Sequence, residues 1–275
     1  MDQHDFTTSV IRWDDGRLSE QSDELAVEEP LEIRVRGRPI SITMRTPGHD
    51  DELAAGFLLS EGVIGASADI LRTEHCGRNE ADNVLNVTLA PMVAVDLERL
   101  TRHVFGSSSC GICGKATIQS VRRWLEKVDS PVHFCAESIL KLPAAMQSAQ
   151  ATFHRTGGLH AASIFDEAGR MLVLREDVGR HNAVDKVIGH CLLHGPFPLD
   201  RHVLMVSGRS SFEIMQKSLS ARIPVVAAVS APSSLAVEFA TESRQTLIGF
   251  LRERRMNIYA NSDRIQFTEA QLQRC

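Results

Sequence analysis

The chain has 275 residues, 43% of them hydrophobic and 24% charged, with a formal net charge of −5. These proportions are ordinary for a globular protein, and the length allows one large domain or two smaller ones that share a core. The acidic balance argues against a protein that binds nucleic acid or membrane surfaces through a broad basic face, although it permits a local basic pocket.

Cysteine usage and the opening residues predict a protein of a reducing compartment. The six cysteines are too few and too scattered for a disulfide scaffold in a chain of this length. Residues 1–9 contain charged side chains in place of an apolar signal segment, and no apolar run reaches the roughly 18 residues that span a bilayer. We therefore expect a cytoplasmic protein, in which a Cys-x-x-Cys pair has a chemical rather than a structural role.

The first part of the chain is predicted to be an arm followed by an α+β subdomain over residues 31–135. Residues 1–30 are polar and acidic, and we expect a loosely held arm. Alternating apolar residues over Leu31–Arg45, interrupted by a turn at residues 37–39, predict a β-hairpin. Further predicted elements are a turn and helix cap at residues 47–51, a helix with Leu53, Ala54, Phe57 and Leu58 on its buried face, and a strand at Val84–Leu89.

Residues 106–115 read Gly-Ser-Ser-Ser-Cys-Gly-Ile-Cys-Gly-Lys and are the most reactive stretch of the sequence. The glycine and serine cluster predicts a loop, and the spacing after it predicts a helix from about Lys115. A thiol close to a helix N-terminus and a lysine has a stabilised, reactive thiolate. From spacing alone, Cys110 and Cys113 could form half of a zinc site, a redox pair or a covalent carrier. The covalent or redox role is slightly favoured because no paired third and fourth ligands lie nearby.

From about residue 136 the pattern changes to short apolar strands that alternate with helices, which predicts a second subdomain over residues 136–275. Pro143 fits the first turn of a helix that ends at Gly157-Gly158. Short apolar runs separated by helices predict a mostly parallel sheet with helices on both faces. The predicted strands are Leu159–Phe165, Met171–Leu174, Val203–Val206, Val225–Val229, Leu247–Leu251 and Met256–Ala260.

Three strand-to-helix turns of this subdomain are rich in glycine, serine and arginine: the first covers residues 176–182, the second 207–211 and the third 230–234. In open α/β sheets, ligands bind beyond the carboxyl ends of the strands, and the N–H groups that open a helix suit phosphate. Arg180 and Arg209 would add charge-assisted hydrogen bonds, and Phe250, beside an arginine cluster, could stack on a base. The candidate ligand-binding residues are Gly179, Arg180, His181, Ser207, Gly208, Arg209, Ser233, Ser234, Phe250, Leu251, Arg252, Glu253, Arg254, Arg255 and Asn257.

Several candidate residues also have a purely structural interpretation. His160 lies inside a predicted strand, where a histidine more often belongs to the core than to a catalytic site. His181 belongs to a charged cluster that could be a surface ion-pair network or the rim of a pocket, and its strand-to-helix position favours the pocket. Ser233 and Ser234 could serve only as a helix cap. The arginines of residues 252–255 could be a solvated turn.

Seven segments of the chain, taken together and in their order, resemble the FdhD family, the formate dehydrogenase accessory sulfurtransferases. Each segment alone is a weak signal, whereas all seven in sequence are specific, and they cover most of the chain after the acidic arm. The segments are Arg45–Phe57, Ser109–Lys115, Thr156–Ala162, Glu176–Lys186, Ser207–Glu213, Ser230–Ser234 and Arg255–Tyr259.

The resemblance implies an α/β fold and a function. The fold is a cytidine deaminase-like, three-layer α/β/α C-terminal subdomain with a smaller N-terminal α+β subdomain that carries the Cys-x-x-Cys loop, in a homodimer. The implied function is that of a sulfurtransferase, with Cys110 as persulfide carrier and Cys113 as partner thiol. It accepts sulfur from a cysteine desulfurase and passes it to molybdenum bis(molybdopterin guanine dinucleotide), for use by the formate dehydrogenase apo-enzyme. Guanosine diphosphate (GDP) is expected to bind as a surrogate ligand.

The deaminase likeness does not extend to deaminase chemistry. Zinc deaminases carry a His-x-Glu motif and later a Pro-Cys-x-x-Cys motif. Here His160-Ala161-Ala162 lacks the glutamate, and Ser109 precedes Cys110 where a proline would stand, so no zinc is required. Two alternatives stay open: a non-catalytic chaperone for a guanine dinucleotide cofactor, and a zinc or disulfide-redox protein built on the Cys-x-x-Cys pair.

Overall fold

The computed structural model describes residues 5–76, 83–95 and 126–268. Within the predicted arm, β1 (Asp5–Asp14) and β2 (Arg17–Ala26) form an antiparallel hairpin that pairs along its full length. The two residues of its turn, Asp15 and Gly16, have φ angles of 44° and 81°. Asp-Gly with positive φ at both positions is the preferred two-residue hairpin turn, a signal that the acidic composition obscured.

The predicted N-terminal hairpin, helix and strand are confirmed. A four-stranded sheet has the order β4-β3-β6-β5, and the apolar residues Leu31, Ile33 and Val35 of β3 are buried. The elements are β3 (Glu29–Val35), β4 (Arg38–Arg45), α1 (Asp50–Ser60), β5 (Ile70–His75) and β6 (Val84–Leu89).

The C-terminal part is built on a six-stranded sheet of order β13-β12-β11-β10-β8-β9. Its strands are β8 (His160–Phe165), β9 (Met171–Asp177), β10 (Val203–Val206), β11 (Val225–Ala228), β12 (Thr246–Arg252) and β13 (Arg255–Ala260). The helices are α2 (Ala136–Ala149), α3 (Ala151–Thr156), α4 (Arg180–His194), α5 (Phe212–Ser220) and α6 (Ser234–Ser243). Beside the sheet, the short strands β7 (Phe134–Cys135) and β14 (Ile265–Gln266) pair in parallel.

The sheet is mixed, which corrects the prediction of a mostly parallel one. Strands β10, β11 and β12 are parallel, whereas β8, β9 and β13 pair antiparallel with their neighbours. The reason is the length of the connections. The turns between β8 and β9 and between β12 and β13 are short, and a short turn can join only antiparallel strands.

The three-layer arrangement of helices around the sheet is confirmed. Successive residues of β10 point to opposite faces: Met205 packs in a cluster with α2, and Leu204 packs in a larger cluster with α4, α5 and α6. The prediction for Pro143 is wrong, because α2 starts seven residues earlier, at Ala136, and Pro143 lies in its interior. Burial of the apolar face, which includes Ile139 and Met146, outweighs the loss of one backbone hydrogen bond at the proline.

The two parts of the chain share one core, because helices α1 and α4 cross at very short range. A Cβ atom at Gly56 would lie 1.9 Å from the carbonyl oxygen of Asp185, and one at Gly189 would lie 1.8 Å from that of Glu52. Only glycine permits this approach, so α1 is fixed directly against the helix that begins at the first of the three turns. Among the described helices, none has the length and apolar character needed to cross a membrane.

Candidate functional site at the sheet edge

The predicted ligand-binding segments meet at one edge of the six-stranded sheet. His181, in the first turn, has its Nε2 atom 3.2 Å from the Ser211 hydroxyl of the second turn. The second and third turns are joined by a hydrogen bond of 3.0 Å from the Ser233 N–H to the Ser210 carbonyl. The third turn meets residues 250–257, here called the arginine segment, where the Phe250 N–H donates to the Ser230 carbonyl over 3.2 Å. The edge therefore forms a continuous surface.

Three helices begin at this surface. Gly179 is the N-cap of α4, Ser211 that of α5 and Ser233 that of α6. The hydroxyl of Ser233 accepts a hydrogen bond from the Ala236 N–H at 3.2 Å, so this serine does cap its own helix. The positive ends of three helix dipoles converge here, which is the arrangement that binds phosphate and other anions.

The positive charge of the edge comes from its arginines. Within the described ranges, no carboxylate forms an ion pair with Arg180, Arg209, Arg254 or Arg255. Arg252 differs from them, because its guanidinium donates to the backbone carbonyls of Val229 and Leu251. In an acidic protein, such a local cluster favours a bound anion over a solvated turn.

A cavity of about 200 Å³ opens at the first turn. The predicted residues Gly179, Arg180 and His181 line it, and His160 reaches it from the start of β8. Its remaining walls include residues that the sequence did not single out for binding: Glu28, Thr43, Met44, Val178 and Asn182. The second and third turns lie beside this cavity along the edge.

Two histidines at the cavity are neutral imidazoles at physiological pH. Burial, together with the nearby charges of Lys217 and Arg180, lowers the pKa of His181 from 6.5 to about 3. Burial and Arg180 also lower the pKa of His160. The interpretation of His160 as a core histidine is wrong, because the side chain is half-buried and lines the cavity. The arginines, not the histidines, therefore supply the positive charge.

In the arginine segment, neighbouring side chains point in opposite directions. Phe250 is 39% exposed and has a φ of 50°, in the left-handed region that bulky residues rarely adopt. Leu251 is fully buried in the cluster against α2, so only its main chain can face a ligand. Residues 252–255 and Asn257 are exposed. Together, the left-handed backbone and the bulge in β12 present the phenylalanine ring at the surface.

A buried network that the sequence did not reveal fixes the first turn. The Asp177 carboxylate accepts hydrogen bonds from Lys186 Nζ at 2.8 Å, from the Gly179 N–H at 2.8 Å and from the Thr46 N–H at 3.2 Å. Thr46 in turn accepts from Lys186 Nζ through its carbonyl, at 2.8 Å, and from the Val178 N–H through its hydroxyl, at 3.1 Å. The segment that contains Thr46 therefore locks the turn into place.

A second buried pair lies under the same edge. Lys217 Nζ lies 2.8 Å from Oδ2 of Asp185, and Oδ1 of the same carboxylate accepts from the Ser60 hydroxyl at 2.9 Å. Burial raises the pKa of Asp185 to about 6. Although burial opposes the charge of Lys217, the Asp185 carboxylate raises the pKa of this ammonium group. Asp177 and Asp185 are thus structural anchors beneath the site and are not part of a surface network.

The predicted catalytic cysteines, Cys110 and Cys113, lie outside the described residues, as does Lys115. Of the described cysteines, Cys191 is buried, and burial raises the pKa of its thiol to about 12, which makes it unreactive. Cys76 and Cys135 are half-buried free thiols. Their accessibility makes them the natural controls for any test of Cys110.

Comparisons with known proteins agree on one family. A sequence model described as the FdhD/NarQ family matches residues 26–266. The chain is 51% identical over 272 residues, 96% of each chain, to the sulfur carrier protein FdhD of Streptomyces avermitilis. It is 52% identical to that of Mycolicibacterium paratuberculosis, over 91% of this chain and 94% of the relative. The crystal structure of a formate dehydrogenase accessory protein from Desulfotalea psychrophila has the same fold, with a TM-score of 0.77, 23% identity and coverage of 96% of this chain and 100% of the other.

Proposed function

Because the chain belongs to the FdhD/NarQ family, we propose that it is a sulfur carrier that serves formate dehydrogenase. In this proposal a cysteine desulfurase supplies the sulfur, and the acceptor is molybdenum bis(molybdopterin guanine dinucleotide) held at the sheet edge. The protein would act in the cytoplasm as a homodimer. Sedimentation of the purified protein tests the homodimer directly. Relatives named as sulfur carriers support the general role, and the chemistry of the edge supports the acceptor.

The observation that carries the proposal is the convergence of three helix N-termini with arginines that lack carboxylate partners among the described residues. A guanine dinucleotide offers several phosphates and a planar base. The phosphates suit the helix N-termini together with Arg180 and Arg209. The base suits the exposed ring of Phe250, since an aromatic side chain gains about 1–3 kcal/mol by stacking on a base.

Cys110 would receive and release the sulfur in two balanced steps. In the first, its thiolate attacks the outer sulfur of the desulfurase persulfide, forms a Cys110 persulfide and releases the desulfurase cysteine as a thiolate. In the second, the Cys113 thiolate attacks the inner sulfur of that persulfide. A Cys110–Cys113 disulfide forms, and hydrosulfide leaves towards the acceptor. Oxidation of the two thiols supplies the electron pair that reduces the transferred sulfur, and a cellular thiol must later reduce the disulfide.

Persulfide loading can be measured directly. The protein is incubated with a cysteine desulfurase and cysteine, and its intact mass is taken under non-reducing conditions. We expect the mass of one additional sulfur atom on the parent protein and none on Cys110→Ala. Cys135→Ala is the matched control and should load as the parent does. Equal loading of Cys110→Ala and the parent would remove Cys110 as the carrier.

Nucleotide binding is tested separately. GDP should raise the melting temperature, because a ligand that binds only the native state stabilises it by about 2.7 kcal/mol at a concentration about 100 times Kd. Adenosine diphosphate (ADP) is the control for base specificity. Absence of any shift at millimolar GDP would overturn the edge as a guanine nucleotide site. Binding of GDP without any persulfide would instead favour the non-catalytic chaperone.

A further inference from the structure

A second cluster of polar side chains lies where helices α1 and α4 meet strand β9. Arg175 of β9 binds both oxygens of the Glu52 carboxylate, with its Nε atom at 2.6 Å and an Nη atom at 2.7 Å. His190 Nδ1 lies 2.8 Å from the same carboxylate. His194 follows one turn later on α4 and is exposed. None of these side chains belongs to the sheet edge described above.

The carboxylate determines which nitrogen of His190 is available to a ligand. Glu52 is only 4% exposed, and the Arg175 guanidinium donates to both of its carboxylate oxygens, which holds the carboxylate as a hydrogen-bond acceptor. His190 Nδ1 lies 2.8 Å from the Glu52 carboxylate and 3.1 Å from an Nη atom of Arg175. A carboxylate bound by an arginine accepts hydrogen bonds, and the tautomer that satisfies the shorter contact donates Nδ1–H to it. Its Nε2 atom then carries a lone pair. A carboxylate that accepts from one nitrogen of a histidine is the usual device that orients the other nitrogen towards a metal ion.

His190 and His194 are spaced for shared coordination. Residues four apart lie on the same face of a helix, and the two imidazole centres are 5.0 Å apart. Two imidazoles that share one tetrahedral ion at the usual Zn–N distance of about 2.0 Å have ring centres about 5 Å apart. One potential ligand atom from each of Glu52, His190 and His194 lies within 4.8 Å of the others.

We propose that His190 and His194 bind a transition-metal dication of the Zn²⁺ class, with Glu52 as the residue that orients His190. Imidazole nitrogen suits Zn²⁺, Cu²⁺ and Ni²⁺, and does not suit Mg²⁺ or Ca²⁺. Water completes the coordination. Arg175 neutralises Glu52, so the carboxylate positions a ligand and is not itself one. The site lies about 15 Å along α4 from the first turn, at about 1.5 Å per residue, and so is separate from the nucleotide edge.

Zinc binding is measured by calorimetric titration of the full chain with ZnCl₂. Cys110→Ala/Cys113→Ala serves as the parent, because those thiols could bind zinc themselves. We expect one equivalent to bind, with affinity reduced at least tenfold by His194→Ala. His194 is exposed, so this variant should fold. His154→Ala removes another exposed histidine from a helix, α3, and should bind zinc as the parent does.

Two further measurements separate the site from nonspecific binding. ZnCl₂ should raise the melting temperature of the parent and of His154→Ala, but not that of His194→Ala, while MgCl₂ should have no effect on any of them. His190→Ala should lose the zinc response even where its own stability is lower. The proposal is overturned if the parent binds no zinc at about 100 µM, or if His194→Ala binds it as tightly as the parent.

Discussion

The positive charges at the sheet edge and those directly beneath it have opposite surroundings. Lys186 is 1% exposed and its ammonium lies 2.8 Å from a carboxylate oxygen of Asp177, and Lys217 is paired with Asp185 in the same way. At the edge, Arg180 and Arg255 have no carboxylate partner among the described residues. The buried pairs hold the turns in position, and the unpaired arginines are available to a ligand. In this molecule, the presence of a carboxylate counter-ion therefore distinguishes the structural lysines from the binding arginines better than charge does.

The largest expected effect comes from breaking a buried pair. Lys186→Met leaves the Asp177 carboxylate without its counter-ion in a site that water does not reach. Removal of one member of a buried pair costs about 3–5 kcal/mol, so we expect the free energy of unfolding to fall by that amount in urea titrations. Lys141→Met, on the exposed face of α2, is the control and should change it by no more than about 0.5 kcal/mol. A loss below about 1 kcal/mol for Lys186→Met would show that the pair is not an anchor.

The opposite pattern is expected at the edge. Arg180→Ala and Arg255→Ala should each weaken GDP binding about 10- to 100-fold, because a hydrogen bond to a charged group is worth about 1.5–3 kcal/mol. Their unfolding free energies should stay within about 1 kcal/mol of the parent value. Arg170→Ala is the matched control, since this exposed arginine lies in the turn at the other end of β8 and pairs with Asp166. Unchanged GDP affinity in both edge variants would contradict the assignment of the edge.

His181 lies between the two regions and gives stability a pH dependence. Its pKa is about 3 in the folded protein and 6.5 when unperturbed, so the unfolded state gains a proton first as pH falls. The stabilisation is complete above about pH 6.5 and is lost on acidification at about 1.4 kcal/mol per pH unit. Between about pH 6.5 and 5, the parent should therefore lose about 2 kcal/mol more than His181→Gln in urea titrations. His154→Gln, an exposed control, should follow the parent, and parallel curves for the parent and His181→Gln would disprove the assignment.

Much of the binding surface could be predicted from the sequence, because strand-to-helix turns have local signals. Glycine and serine at Ser207-Gly208 and arginine at Arg180 mark the end of a strand and the start of a helix. The topology of an open sheet then brings such turns together. Strand ends also have local signals, and the predicted bounds of β10 and β6 coincide with those in the structure.

The anchors could not be predicted in this way, because their partners are far apart in sequence. Thr46 and Asp177 are separated by 131 residues, and no local pattern links them. One signal was available: Asp185 and Lys186 interrupt an otherwise apolar helical stripe, and charges at such positions must be paired when buried. The mixed sheet was missed for a simpler reason, since apolar runs identify buried strands without giving their direction.

The smallest effect concerns Phe250, where strain and binding can be separated. Its left-handed backbone costs a residue with a Cβ atom about 1–2 kcal/mol, whereas glycine adopts it freely but loses about 0.5–1 kcal/mol through the entropy of the unfolded chain. The free energy of unfolding of Phe250→Gly should therefore exceed that of Phe250→Ala by about 0.5–1 kcal/mol. Both variants should lose the stacking contribution to GDP binding. Met256, in the next strand, has no positive φ. At this position the alanine variant should be more stable than the glycine variant. If alanine were the more stable residue at both positions, the backbone at residue 250 would not be strained. Stacking alone would then account for any effect on GDP.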